Sequence, residues 1–435
     1  MPIVITHASL FDLDPPGIRP GGLRIEGGMI AEACASPAAH PGDEVLDAGG
    51  CVVMPGLVNG HTHLYSALAV GMPAPPRVPR DFHEILELIW WRLDRALDAE
   101  SIEVSGVAGA LDALRCGTTT LIDHHASPNC IAGSLDALER GIAAVGLRGV
   151  LCYETTERNR GAAEAGAGLE ENERYLLRCA AGREGRFAGL VGAHAAFTLS
   201  DDSLRACARL AEAQRSGVHI HVAEDPCDDR LCRERYGRAL LERLESCGVI
   251  QSGALLAHAT HLGAEDARRI GGRVAGVAHN PRSNMNNRVG YAPVGALHNV
   301  LLGTDGIGSD MFTEARHAWF KSRDARLDLS PADIASMLAR AARVAGGRLG
   351  IRLGRLEAGA AADVVITDYL PATPLDSGNA AGHLLFGLGP QHVRHVLIGG
   401  RFALKDRQAV NCDENELRRA AARVARSLWE RMADL

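Results

Sequence analysis

The chain has 435 residues, of which 46% are apolar and 23% charged, and its formal net charge is −7. That length suits one large barrel with a smaller companion domain, and the apolar share supports a sizeable core. An acidic balance with no basic run excludes a protein that tracks a phosphate backbone, so no nucleic-acid partner is expected; no segment approaches the roughly 20 apolar residues of a membrane helix, so no membrane partner is expected either.

The start, Met1-Pro2-Ile3-Val4-Ile5-Thr6-His7, lacks the cationic head and apolar block of a secretory leader. Eleven cysteines occur without a CxxC pair. An odd, unpatterned set reads as reduced thiols, and the expected location is cytoplasmic.

Residues 1–54 hold short β-prone runs such as Ile3-Val4-Ile5, Gly22-Leu23-Arg24-Ile25-Glu26 and Glu44-Val45-Leu46. From 55 to 354 short apolar runs alternate with longer helical patterns. Strands are predicted at 52–58, 119–123, 148–153, 187–194, 218–222, 253–258, 274–278 and 299–304. Runs this apolar fit a parallel sheet covered on both faces, and eight of them fit a (β/α)8 TIM barrel, an α/β fold. Ser200 caps one predicted helix, and Pro331 opens another that runs to about 346. The β pattern returns over 355–412, with strands at 362–366 and 393–400, and 413–435 reads as an amphipathic helix. The expected organisation is a small β-sandwich domain built from 1–54 plus 355–412, the barrel at 55–354 between them, and a closing helix.

The first barrel strand ends in His61-Thr62-His63. Residues i and i+2 of an extended segment point to one side, so both imidazoles can reach one ion. The fifth strand carries His219-Ile220-His221-Val222-Ala223-Glu224 and the eighth ends in Gly303-Thr304-Asp305-Gly306. All three pieces lie at predicted carboxyl ends of strands, where barrel enzymes place their chemistry. Alone, an HxH is weak evidence, because histidines also satisfy core hydrogen bonds. Together, three imidazoles and a carboxylate suit zinc, iron(II) or another divalent first-row ion. Asp305 is placed both to ligate the ion and to take a proton from its water. His258, at the end of the sixth strand, is placed to polarise the attacked centre.

These motifs resemble the amidohydrolase superfamily, and within it the chlorohydrolase and deaminase branch. The resemblance is carried by Pro55-Gly56-Leu57-Val58-Asn59-Gly60-His61-Thr62-His63, by His219 to Glu224, by Leu256-Ala257-His258-Ala259-Thr260-His261-Leu262, by His279-Asn280-Pro281-Arg282-Ser283-Asn284, by Gly303 to Gly306 and by Gly354 to Asp363. It covers nearly the whole chain. Within that branch the chain is most similar to the SsnA group of aminohydrolases, through Pro79-Arg80-Asp81-Phe82-His83-Glu84, Trp90-Trp91-Arg92-Leu93-Asp94, Asp123-His124-His125-Ala126-Ser127-Pro128 and Gly306-Ile307-Gly308-Ser309-Asp310-Met311-Phe312.

The resemblance implies a metal-dependent aminohydrolase that deaminates a purine-, pyrimidine- or triazine-like heterocycle. It also implies the metal ligands His61, His63, His221 and Asp305. His221 is preferred to His219 because it stands three residues before Glu224, the family's acid/base group; His219 is expected inside the strand. Catalysis is assigned to Glu224, His258 and Asp305. Two-metal relatives bridge their ions with a carboxylated lysine on a middle strand. Here the only lysines are Lys321 and Lys405, both past the eighth strand, so one ion is expected, zinc before iron(II). Substrate contacts are expected from His194, His125 and Arg282, Trp90 and Trp91 are expected in the core, and the proline-rich loop 71–80 is a candidate lid. A homodimer is a family-level expectation. The alternatives are ring opening of a cyclic amide or amidine and a non-catalytic scaffold of the same fold.

Overall fold

A computed structural model describes residues 1–182 and 185–435. Eight parallel barrel strands are present: β1 Leu57–Thr62, β2 Thr118–His125, β3 Arg148–Tyr153, β4 Val191–Ala195, β5 Val218–Val222, β6 Leu255–His258, β7 Gly276–His279 and β8 Val300–Leu302. Ladders join β1 to β3 and β4 to β8. Two seams close the ring. Thr304 and Asp305 donate their backbone N–H groups to the His61 carbonyl, and Thr155 and Gly192 pair across β3 and β4.

Two predicted strands divide. Residues 52–58 become Val52–Pro55, which pairs with Ile3–Leu13 and Val364–Thr367 outside the barrel, and β1, which begins at Leu57. Gly56 is the crossing point: a Cβ there would lie 2.4 Å from Thr119 Oγ1. Residues 187–194 become Phe187–Gly189, paired to β3, and β4, paired to β5, with Leu190 between.

The two ends of the chain form one nine-stranded sheet. Its central strand, Ile3–Leu13, pairs along one edge with Glu44–Asp47 and then with Val52–Pro55, and along the other with Pro16–Glu26. The carboxyl-terminal strands Val364–Thr367, Val393–Ile398 and Arg401–Lys405 continue from Val52–Pro55. Ile30 exchanges backbone hydrogen bonds with Gly359 and Ala360, so the sheet folds back over a core of Ile5, Leu10, Leu23, Ile25, Val364 and Leu397.

The barrel floor is apolar. Inward-facing Val58, Ile122, Val150, Leu255 and Leu301 meet Ala341, Ala342 and Ala345 of the helix Pro331–Leu349. Above this apolar layer the metal-ligating side chains gather at the carboxyl end of the strands. Helix Glu414–Ala433 lies across the helix Ala99–Arg115, and its Trp429 indole donates to the Leu68 carbonyl.

Candidate metal centre and cleft

His61 and His63 leave the end of β1, His221 stands near the end of β5, and Asp305 follows β8. Alternation alone would not place His61 and His63 in the barrel, because Val58 and Gly60 already face inward. The register irregularity between Asn59 and Thr62 turns them in. Non-glycine residues with positive φ cluster at the same strand ends: Ala223 at 50°, His258 at 70°, Ala259 at 54° and Asp305 at 55°. Each such conformation costs on the order of 1–3 kcal/mol and persists where the surroundings hold it, as at active sites.

The ligand atoms of His61, His63, His221 and Asp305 all lie within 4.8 Å of one another. His63 Nε2 is 3.0 Å from Asp305 Oδ1 and 3.1 Å from His221 Nε2. The other ring nitrogens settle the tautomers. His63 Nδ1 donates to the His124 carbonyl at 2.5 Å, and His221 Nδ1 donates to the His194 carbonyl at 2.8 Å. A carbonyl only accepts, so both Nδ1 atoms carry protons, and in the neutral rings that bind a metal both Nε2 atoms present lone pairs. His61 Nε2 is buried without a hydrogen-bond partner. Three lone pairs and a carboxylate facing one point with no donor among them are a poor hydrogen-bond cluster and a good divalent-cation site.

His219 is wholly buried, as expected, and it also has a partner that spacing does not reveal. Its Nε2 is 2.9 Å from His61 Nδ1, and its Nδ1 is 3.6 Å from Cys152 Sγ, whose thiol faces the Asp123 carbonyl at 3.5 Å. The imidazole thus accepts the His61 Nδ1 proton and points the His61 lone pair at the cluster.

Beside the cluster, Glu224 Oε2 is 3.5 Å from His258 Nε2, which is itself 3.9 Å from Asp305 Oδ2. His258 Nδ1 donates to Asn284 Oδ1 at 2.8 Å, which orients the ring. Burial, then the charge of Asp305, holds the Glu224 carboxyl well above the usual carboxylate range. That is the protonation a general acid needs.

His63, His221, Glu224 and Asp305 form the inner end of a cleft enclosing about 790 Å³, open mouth included, while His61 and His258 are buried outside its lining. Trp90, Trp91, Phe82 and Phe197 supply aromatic walls; the two tryptophans pack against the core as expected and line the cleft as well. The helix carrying them widens to a π-turn over Leu86–Trp90, which lets the consecutive Trp90 and Trp91 both reach it. His194 lines the cleft; His125 and Arg282 do not. His125 is turned to Ser127 Oγ at 3.0 Å. Arg282 pairs with the buried Glu314 carboxylate and donates to the Ile307 and Gly308 carbonyls at 2.8 Å, pinning the loop after β8. No residue of 71–80 lines the cleft; Arg77 and Arg80 both grip Glu84 just after it.

Sequence reasoning passed over Asp94, Glu154 and Ser283. Ser283 donates to Asp305 Oδ2, and Glu154 directly follows β3 with its carboxylate against His124 and Arg158. The available signal was an acidic residue at a barrel strand's carboxyl end.

An eight-stranded barrel with three imidazoles and a carboxylate converging at its carboxyl end defines the class of metal-dependent hydrolases acting on carbon–nitrogen bonds. A model of the amidohydrolase family matches residues 52–403, and the chain belongs to that family. It is 30% identical to the 5-methylthioadenosine/S-adenosylhomocysteine deaminase of Desulforudis audaxviator, covering 94% of this chain and 95% of that protein. It is 29% identical to the 5'-deoxyadenosine deaminase of Methanosarcina mazei, covering 99% of each. Among solved structures it is similar to a zinc-bound adenosine deaminase from Xanthomonas campestris, with TM-score 0.83 and 22% identity over 100% of this chain and 99% of that one. The zinc complex of atrazine chlorohydrolase from Arthrobacter aurescens gives a TM-score of 0.81 at 21% identity, over 97% of this chain and 100% of that one. Among the described residues no helix is long and apolar enough to cross a membrane.

Proposed function

We propose that the protein is a mononuclear metal-dependent aminohydrolase that deaminates a purine-like heterocycle. His61, His63, His221 and Asp305 are the residues that would hold the ion, zinc before iron(II). The observation that carries the reading is the convergence of three imidazole lone pairs on the Asp305 carboxylate, with His61 Nε2 buried and unpartnered. The full-length similarity to adenosine-type deaminases supports the substrate class. A divalent ion held by these residues would supply a water whose pKa is lowered from 15.7 toward about 7, and with it the nucleophile.

The chain's own groups do the remaining work. Asp305 takes the proton of the attacking water at its carboxylate, steadied by Ser283 Oγ. Glu224, kept protonated by burial, gives its proton to the ring nitrogen beside the attacked carbon and then carries one to the departing amine. His258, taking a second proton on the Nε2 that faces both carboxylates, polarises the attacked centre. His194 and the aromatic walls position the ring. A homodimer in the cytoplasm is part of the same reading.

The test is an ammonia-release screen over purines, their nucleosides, pyrimidines, pterins and triazines with zinc-loaded protein. Turnover without free ammonia would replace deamination by ring opening. Glu224→Gln should keep its zinc and lose roughly 10²–10⁴ in kcat; metal content that collapses with the rate would make Glu224 a ligand.

A further inference from the structure

Glu154 is a buried carboxylate in the cleft wall, and the scheme above leaves it without a task. Its Oε2 is 3.2 Å from His124 Nδ1, and its Oε1 is 3.4 Å from Arg158 Nη2. Oε1 also lies 3.8 Å from Nε2 of His194, another cleft residue. The distance is too long for a hydrogen bond, and the tautomer of His194 explains why. Thr198 gives its hydroxyl proton to the Ala195 carbonyl at 3.0 Å, so its oxygen accepts from His194 Nδ1 at 2.8 Å. His194 Nε2 then carries a lone pair. Two acceptors, the carboxylate oxygen that already takes one hydrogen bond from Arg158 Nη2 and the imidazole nitrogen, stand side by side.

The pair lies close to the metal cluster: a Glu154 carboxylate oxygen is within 4.8 Å of ligand atoms of both His63 and His221. A group seated between Glu154 and His194 therefore belongs to the ring that presents its leaving amine to the metal.

We propose that Glu154 and His194 form a two-acceptor clamp for an N–H-donating edge of the substrate ring. The preferred substrate then carries a second amino group or a ring N–H besides the amino group that leaves. Adenine, whose ring edge near its amino group offers only acceptor nitrogens, sets lone pairs against lone pairs there. A 2-amino-substituted ring places two N–H donors where two acceptors wait. A buried acceptor left facing an acceptor costs the desolvation of both groups, which is why sites built to hydrogen-bond a substrate group reject analogues lacking it strongly. The inference rests on the deaminase reading and sharpens its substrate class.

The experiment compares 2,6-diaminopurine riboside with adenosine on the zinc-loaded full chain, by ammonia release and by quenching of Trp90 and Trp91 fluorescence. In each turnover water adds its oxygen to C6, the C6–N bond breaks, and ammonia leaves. The expected result is a kcat/KM at least tenfold higher for the diamino compound, with the same order in binding. Glu154→Gln, which exchanges one acceptor for a donor, should shrink the ratio to below threefold while zinc content and Tm stay near wild type. Equal or greater preference for adenosine overturns the clamp, as does an unchanged ratio in Glu154→Gln or quenching by neither compound. If the variant does not fold, the wild-type ratio alone decides. Tighter binding of the diamino compound with no ammonia from either, erased by Glu154→Gln, would keep the clamp and defeat the deaminase reading. Ammonia from both at equal rates would do the reverse.

Discussion

The three histidines of the cluster are held in two ways, and the difference has consequences. His63 and His221 are fixed by backbone carbonyls, which no side-chain substitution removes. His61 depends on the His219 ring. Losing a partner behind a ligand typically costs 10–100-fold in metal affinity. His219→Ala is therefore expected to weaken zinc binding by about that factor in a chelator competition, with His219→Gln recovering part of it; wild-type affinity in His219→Ala would remove the assigned role. Asp228 gives a second residue-level prediction. Its Oδ2 accepts from the Ala223 N–H at 2.8 Å, its Oδ1 is buried without a partner, and burial pushes its carboxyl up to about 7. The unfolded chain releases this proton near 3.8, so the folded state binds more protons between about 4 and 7. Stability attributable to Asp228 therefore falls as pH rises through that window. Asp228→Asn keeps the acceptor and has no charge to bury. Its Tm relative to wild type should climb from pH 4 to pH 7 and then level off; a flat difference would mean that Asp228 is ionised in the folded protein.

At the level of elements, β1 shows how backbone geometry aims the ligands. Gly60 precedes His61, and a Cβ on it would lie 2.1 Å from Leu301 Cδ1 and 2.7 Å from the Leu302 carbonyl oxygen. The side chain could shift, but the β8 backbone cannot without moving the seam that carries Asp305. Gly60→Ala is expected to lower stability by about 1–3 kcal/mol, in the range of overpacked cores. It should also reduce zinc content, because the displaced backbone holds two ligands; urea titration and metal analysis read the two effects separately. The strand assignments from apolar runs were close for β3 and β5, whose runs are uninterrupted. They failed where one run serves two sheets, as at Val52–Pro55 and β1, because apolarity reports burial and not the partner. The cleft-lining role of the tryptophans was missed for a related reason: a regular helical period does not anticipate the π-turn over Leu86–Trp90 beside which both reach the cleft.

Across the whole molecule, the barrel and the terminal sheet are locked by one buried ion pair. Arg148, at the start of β3, forks onto Asp363 with Nε–Oδ2 at 2.8 Å and Nη2–Oδ1 at 2.9 Å, and the Gly399 N–H also donates to Oδ1. Arg148→Ala strands a buried carboxylate and should cost about 3–5 kcal/mol. The pair lies at the amino-terminal end of the barrel, so zinc affinity measured in native buffer should be unchanged. A loss of zinc binding in the folded variant would show that the two ends of the barrel are coupled.

The sequence by itself determined the barrel, the sheet shared by both chain ends, and the identities of the convergent histidines and Asp305. The barrel and the shared sheet follow from local periodicity along the chain, whereas His221 was preferred to His219 through the family resemblance and the inward turn of His61 and His63 comes from a break in register that alternation does not predict. The single-ion reading came from the resemblance, whose two-metal members need a bridging lysine, together with the absence of any lysine before Lys321. Only the tertiary structure decided that His219 backs His61, that Glu154 and His194 stand together as acceptors, and that Arg282 and His125 face away from the cleft. Each of those depends on which residues from distant strands share a few ångströms of buried space. Tautomers and carboxyl pKa values are set by that neighbourhood and not by chain position.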